Sequence, residues 1–77
     1  MNYEQSSNCK LKELRKNRNL TLIELSDKIG ISPTTLNRIE EGKKIPTLDV
    51  VYAITEALNL TKSEKIELLV DLKFIML

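Results

Sequence analysis

Between residues 21 and 64 the chain carries helix-start and helix-stop signals so closely spaced that only short helices fit between them. Thr21-Leu22-Ile23-Glu24 and Thr61-Lys62-Ser63-Glu64 both have the capping-box pattern, in which a Thr oxygen takes an orphan amide and a Glu reaches back. Ser32-Pro33 is a third start: Ser caps well, and Pro in the first helical position loses no needed hydrogen bond. Thr47 caps a fourth helix, and Gly30 and Gly42 are stops. The punctuation predicts five helices, at 8–18, 22–29, 33–41, 48–58 and from 62 to within a few residues of Leu77. Apolar spacing turns Leu11 and Leu14, then Leu22, Leu25 and Ile29, then Leu36 and Ile39, then Leu48, Val51, Ile54 and Leu58 inward. Residues 1–7 read as a disordered arm, and 8–77 as a single domain.

A chain of 77 residues buries only about 60% of its unfolded surface, so these helices must share one core. Two Pro and two Gly leave little material for hairpins, so the fold class is all-α. Without His and with a lone Cys9, Cys/His zinc sites and disulfide frameworks are not expected, and no cofactor or metal is assigned. No apolar run approaches the ~20 residues of a membrane span, and MNYEQSSN has no signal-peptide core, so the expected location is the cytoplasm. No enzymatic constellation emerges either. Two glycines do not make a phosphate loop, and Glu64, Glu67 and Asp71 share a helix face opposite the apolar residues, as a solvated stripe does.

The net charge of +1 argues mildly against a polyanion partner, but its distribution does not. Residues 1–44 balance to +3 and residues 45–77 to −2. Such asymmetry fits a nucleic acid on one side, and equally fits ordinary solvated helix faces.

The informative unit is residues 21–42. Two short helices meet at Ile29-Gly30-Ile31-Ser32, a connector too tight to be a linker, so they cross steeply with the small Ser26 at the crossing. The outward face of the second offers Pro33, Thr34, Asn37 and Arg38. Arg can clamp the edge of guanine, Asn that of adenine, and a Thr methyl suits thymine, while an α-helix fits the DNA major groove. Each of these residues could instead be plain solvated surface.

Residues 11–60, with Gly30-x-Ser32, Ile39-Glu40-x-Gly42 and Pro46 at their spacing, resemble the Xre/Cro-type helix-turn-helix domain of bacterial and phage repressors. The resemblance implies a compact five-helix, lambda-repressor-like DNA-binding fold with helices 2 and 3 as the reading pair. It puts Pro33, Thr34, Asn37 and Arg38 on base-facing positions, and Thr21, Leu22 and Thr35 on phosphate-contacting ones. It also pairs Arg15 with Glu40 in a partly buried salt bridge from helix 1 to the end of helix 3. Lys43 and Lys44 ahead of helix 4, and Arg18 or Lys16 on helix 1, are further phosphate candidates beside a solvated reading. One departure bears on function: helix 2 usually opens with a Gln that holds a phosphate, and here Leu22 leaves only its backbone amide.

Nine of residues 66–77 are apolar, more than a one-sided surface helix needs. The surplus predicts a homodimer through Leu68, Leu72, Ile75 and Met76, or a C-terminus curled over its own core. The expected function is a transcriptional regulator, repressor-like, binding a palindromic operator on double-stranded DNA as a homodimer, with residues 61–77 as the dimerising helix. The alternatives are an antitoxin-type module binding another protein through helix 5, and a helix-turn-helix scaffold that has lost DNA binding.

Overall fold

The start signals cap helices where expected, and in the computed structural model, which describes residues 9–72, they delimit five. These are α1 (Cys9–Asn17), α2 (Leu22–Ile29), α3 (Pro33–Glu40), α4 (Leu48–Ala57) and α5 (Lys62–Asp71). Thr21, Ser32, Thr47 and Thr61 lie in extended backbone, and each accepts from the amide three residues on. Both capping boxes close, with the Thr21 and Thr61 amides donating to the Glu24 and Glu64 carboxylates at 2.9 Å.

The exits are as regular as the entries. Asn19, Gly30, Gly42 and Asn59 all adopt left-handed backbone, with φ of 59°, 78°, 78° and 51°. The next amide returns to a carbonyl of the last turn, Leu20 to Arg15 at 3.3 Å and Leu60 to Thr55 at 3.1 Å. Asn tolerates this conformation better than other residues with a Cβ. Asn19-Leu20-Thr21 and Asn59-Leu60-Thr61 are therefore the same stop–start device used twice.

The core is made of Leu11, Leu14, Leu25, Leu36, Ile39, Val51, Ile54, Leu58, Leu60, Leu68 and Leu72. α2 packs against both α3 and α4, and α1 against α5 and α3. Two sequence expectations are corrected here. Leu48 is 56% exposed, because the buried face of α4 runs through Val51, Ile54 and Thr55 and leaves its first residue beyond the core edge. Leu22 and Ile29 are half-buried rather than inward, and pack on the core's margin. Helix 5 is described over Lys62–Asp71 with Leu72 as its cap, the Leu72 amide donating to the carbonyls of Leu68 and Val70, and the expected stretch beyond it, residues 73–77, lies outside the described residues.

Leu68 and Leu72 are also corrected as interface residues. They are 0% and 3% exposed, inside the chain's own core. Ile75, Met76 and the N-terminal arm lie outside the described residues. Buried Thr55 keeps its hydroxyl satisfied by donating to the Tyr52 carbonyl at 2.8 Å. Among the described residues no helix is long and apolar enough to cross a membrane.

Candidate nucleic-acid interface

α3 is fixed on three sides before its outer face is free to do anything. At its start, the Ser32 hydroxyl accepts the Thr35 amide at 3.1 Å and donates to the Thr35 hydroxyl at 2.9 Å. Beneath it, Ser26 is 2% exposed, donates its hydroxyl to the Ile23 carbonyl, and allows the close crossing of α2 and α3. At its end, Glu40 receives the Arg15 Nε at 2.7 Å and Nη2 at 3.2 Å. The remaining Arg15 nitrogen, Nη1, donates to the Leu20 carbonyl at 2.9 Å. One buried guanidinium thus ties α1, the α1–α2 turn and the end of α3 together.

With Leu36, Ile39 and Glu40 buried, the opposite side of α3 presents Pro33, Thr34, Asn37 and Arg38, all exposed. They occupy an arc of about 140° at 3.6 residues per turn. Neither Asn37 nor Arg38 spends its side chain on a hydrogen bond or ion pair among the described residues. The helix ends in a Schellman-type turn in which Gly42 is left-handed and the Lys43 amide donates to the Arg38 carbonyl at 2.8 Å. Lys43 and Lys44 follow directly on that turn, and both are exposed.

Glu41 was not singled out in the sequence. It is exposed within the arc of Asn37 and Thr34, and its carboxylate lies 3.5 Å from Lys43 Nζ. Helical spacing from Asn37 and Thr34 would have placed it there. An exposed pair of this kind is weak, so Lys43 can exchange Glu41 for another anion at little cost.

At the α2 terminus the capping box uses the Glu24 amide and the Thr21 amide, leaving those of Leu22 and Ile23 for an external anion. Leu22 contributes no polar side chain there. Glu24 sets a carboxylate beside the same amides, an opposing charge that the capping pattern itself implies.

Arg18 does not join this surface. Its Nε donates to the Leu58 carbonyl at 2.7 Å, and its two terminal nitrogens hold both carboxylate oxygens of Glu64 at 3.1 and 2.8 Å. This fork fastens the end of α1 to the α4–α5 junction, so Arg18 is withdrawn as a phosphate contact. The Arg18 hydrogen bonds, with the one from the Thr61 amide, lower the Glu64 carboxyl from its ordinary 4.5 to about 2. Lys10 is likewise drawn to Glu67 at 2.9 Å, a hydrogen bond that raises the lysine's pKa. Glu64 is therefore drawn out of the solvated stripe, while Glu67 stays exposed. They are the counter-charges of α1. Lys12 and Lys16, a helical turn apart on α1, stay exposed.

The chain matches the model of the helix-turn-helix family over residues 11–65. It is also 32% identical over 59 residues to a protein of Methanococcoides burtonii named as an HTH-type transcriptional regulatory protein, an overlap covering 77% of this chain and 18% of that protein. The chain spans less than a fifth of the length of this relative. No solved structure matches it.

Proposed function

The chain belongs to the helix-turn-helix family, and from that premise we propose that it is a DNA-binding transcription regulator whose α3 reads the major groove. The observation that carries the reading is the outer face of α3, where Thr34, Asn37 and Arg38 stand exposed on a helix held by the buried Arg15–Glu40 fork. Such side chains match base edges, whereas phosphate contacts set orientation and most of the affinity. Here those contacts fall to the Leu22 and Ile23 amides, the hydroxyls of Thr21 and Thr35, and Lys43 and Lys44. Pro33 fixes the helix start against the duplex.

The finer reading is a repressor-like regulator acting in the cytoplasm as a homodimer on a palindromic operator, its half-sites about one helical turn, ~10 bp, apart. Selection of duplexes from a random pool, followed by gel-shift titration at two salt concentrations, tests it. A preferred duplex whose affinity falls with salt is expected. No preferred duplex, or an affinity indifferent to salt, refutes it.

A second reading has its own observation. Leu22 in place of a polar opener and the Glu24 carboxylate weaken the anion site at α2. That favours a helix-turn-helix module that binds a protein partner, and such a chain would leave every duplex in the pool unbound.

A further inference from the structure

The outer face of α3 carries an acid as well as a base. Leu36, Ile39 and Glu40 are buried, and on a wheel of 3.6 residues per turn the direction opposite them falls between Thr34 and Arg38. Glu41 lies about 30° from that direction, whereas Asn37 and Pro33 lie about 70° and 110° away. Its backbone is fixed, the Glu41 amide donating to the Asn37 carbonyl at 2.9 Å just before the left-handed Gly42. Its side chain is not fixed. It is 46% exposed and engaged with the still more exposed Lys43, at 3.5 Å. Arg38, three residues earlier on the same side of the helix, has no ion pair among the described residues.

An ionised carboxylate can only accept hydrogen bonds. Against B-DNA that is a narrow choice, because the phosphates are anionic and most major-groove base groups are themselves acceptors: guanine N7 and O6, thymine O4 and adenine N7. The donors there are the amino groups of cytosine and adenine. Adenine sets its N7 acceptor beside the amino group, where it opposes a carboxylate oxygen, and cytosine has no such acceptor on its own ring. In a C·G pair the neighbouring acceptors belong to guanine, and an arginine satisfies those. Glu41 and Arg38, an acceptor and a donor about one turn apart, thus match the donor and the acceptors of a C·G pair.

We propose that Glu41 is a base-reading residue that selects cytosine, accepting from its N4 amino group while Arg38 takes the guanine beside it. The inference rests on the reading of α3 as the helix that enters the major groove. It adds to that reading the chemistry of one position, a C·G pair under the C-terminal end of the helix. Lys43, released from a weak exposed pair, is left for a phosphate. At any other base pair the carboxylate faces acceptors, so Glu41 rejects wrong sequences as well as holding the right one.

Gel-shift titration of the parent, Glu41→Ala and Glu41→Gln against the selected duplex and its single base-pair variants tests it. Circular dichroism confirms that each variant keeps its helices, as an exposed side chain should allow. The parent is expected to prefer cytosine at one position by about tenfold or more. Glu41→Ala should lose that preference and keep those at other positions. Glu41→Gln should move it to adenine, whose N6 and N7 match a side-chain amide. If Glu41→Ala binds every duplex more tightly by the same factor, the acid merely repels the backbone and the proposal is overturned. A Glu41→Gln chain with every preference unchanged overturns it too. Both of those results leave α3 standing as the reading helix, whereas a parent that binds no duplex removes the regulator reading and this proposal with it.

Discussion

Arg15 and Glu40 each follow an apolar core residue, Leu14 and Ile39, and the sequence already pairs them by resemblance to its family. Burial decides what the pair is worth. With side chains 8% and 3% exposed, removing one partner strands a charge, so Glu40→Ala should lose ~3–5 kcal/mol in urea denaturation. That is a large share of the ~5–15 kcal/mol available to a small domain. Arg15→Met with Glu40→Leu should recover most of the loss, because a packed apolar pair has no charge to desolvate. Arg18 carries the opposite lesson. Its spacing on helix 1 left it free to face DNA, and only the position of Glu64, far along the chain, shows that it is engaged. Because the Glu64 carboxyl is held at about 2, below its ordinary 4.5, its contribution to stability is present above pH 4.5 and lost as pH falls toward 2. Arg18→Met should return the Glu64 titration, followed by carboxyl NMR, toward its ordinary value and flatten the loss of stability across that window. An unchanged Glu64 titration would show that Arg18 does not hold it.

At the scale of elements, most of the fold was legible because helix ends are local chemistry. Thr21, Ser32, Thr47 and Thr61 needed only their neighbours within three residues to mark a start. Gly30 and Gly42 likewise marked stops. What local pattern could not rank was degree of burial. Leu48 has the spacing of a core residue, yet whether the first turn of α4 lies over the core depends on how α2 packs against it. Leu68 and Leu72 show the reverse, since an apolar surplus at one end of the chain looks like an interface until the core that receives it is seen. On the regulator reading, the α2 terminus is an element where a single charge bears on phosphate binding. Glu24→Gln keeps the capping box, which accepts either residue, and removes a carboxylate from beside the free amides. On the regulator reading, duplex affinity should rise and its salt dependence steepen. Weaker binding, measured by titration at two salt concentrations, would place the phosphate elsewhere.

Over the whole molecule, the polarity counted along the sequence is partly spent inside it. Lys10 and Arg18 from the basic half are paired with Glu67 and Glu64 from the acidic half. Withdrawing those four leaves balances of +1 and 0 in place of +3 and −2. On the proposed reading, long-range attraction to DNA therefore falls to a few exposed groups, Arg38, Lys43 and Lys44 on and after α3 and Lys12 and Lys16 on α1. Specificity, on that reading, rests on the outer face of α3. What was legible from the sequence is the exposure of Pro33, Thr34, Asn37 and Arg38, because exposure on a short amphipathic helix follows from which residues are apolar. The charge balance was not legible, because it is set by contacts between residues distant in the chain. The direct test is the binding of Arg38→Ala beside the parent across single base-pair variants of the selected duplex. A guanidinium that reads a base edge predicts a loss of ~1–3 kcal/mol on the selected duplex, with preference relaxed at one position. A loss spread uniformly over all sequences, or no loss at all, would contradict α3 as the reading element.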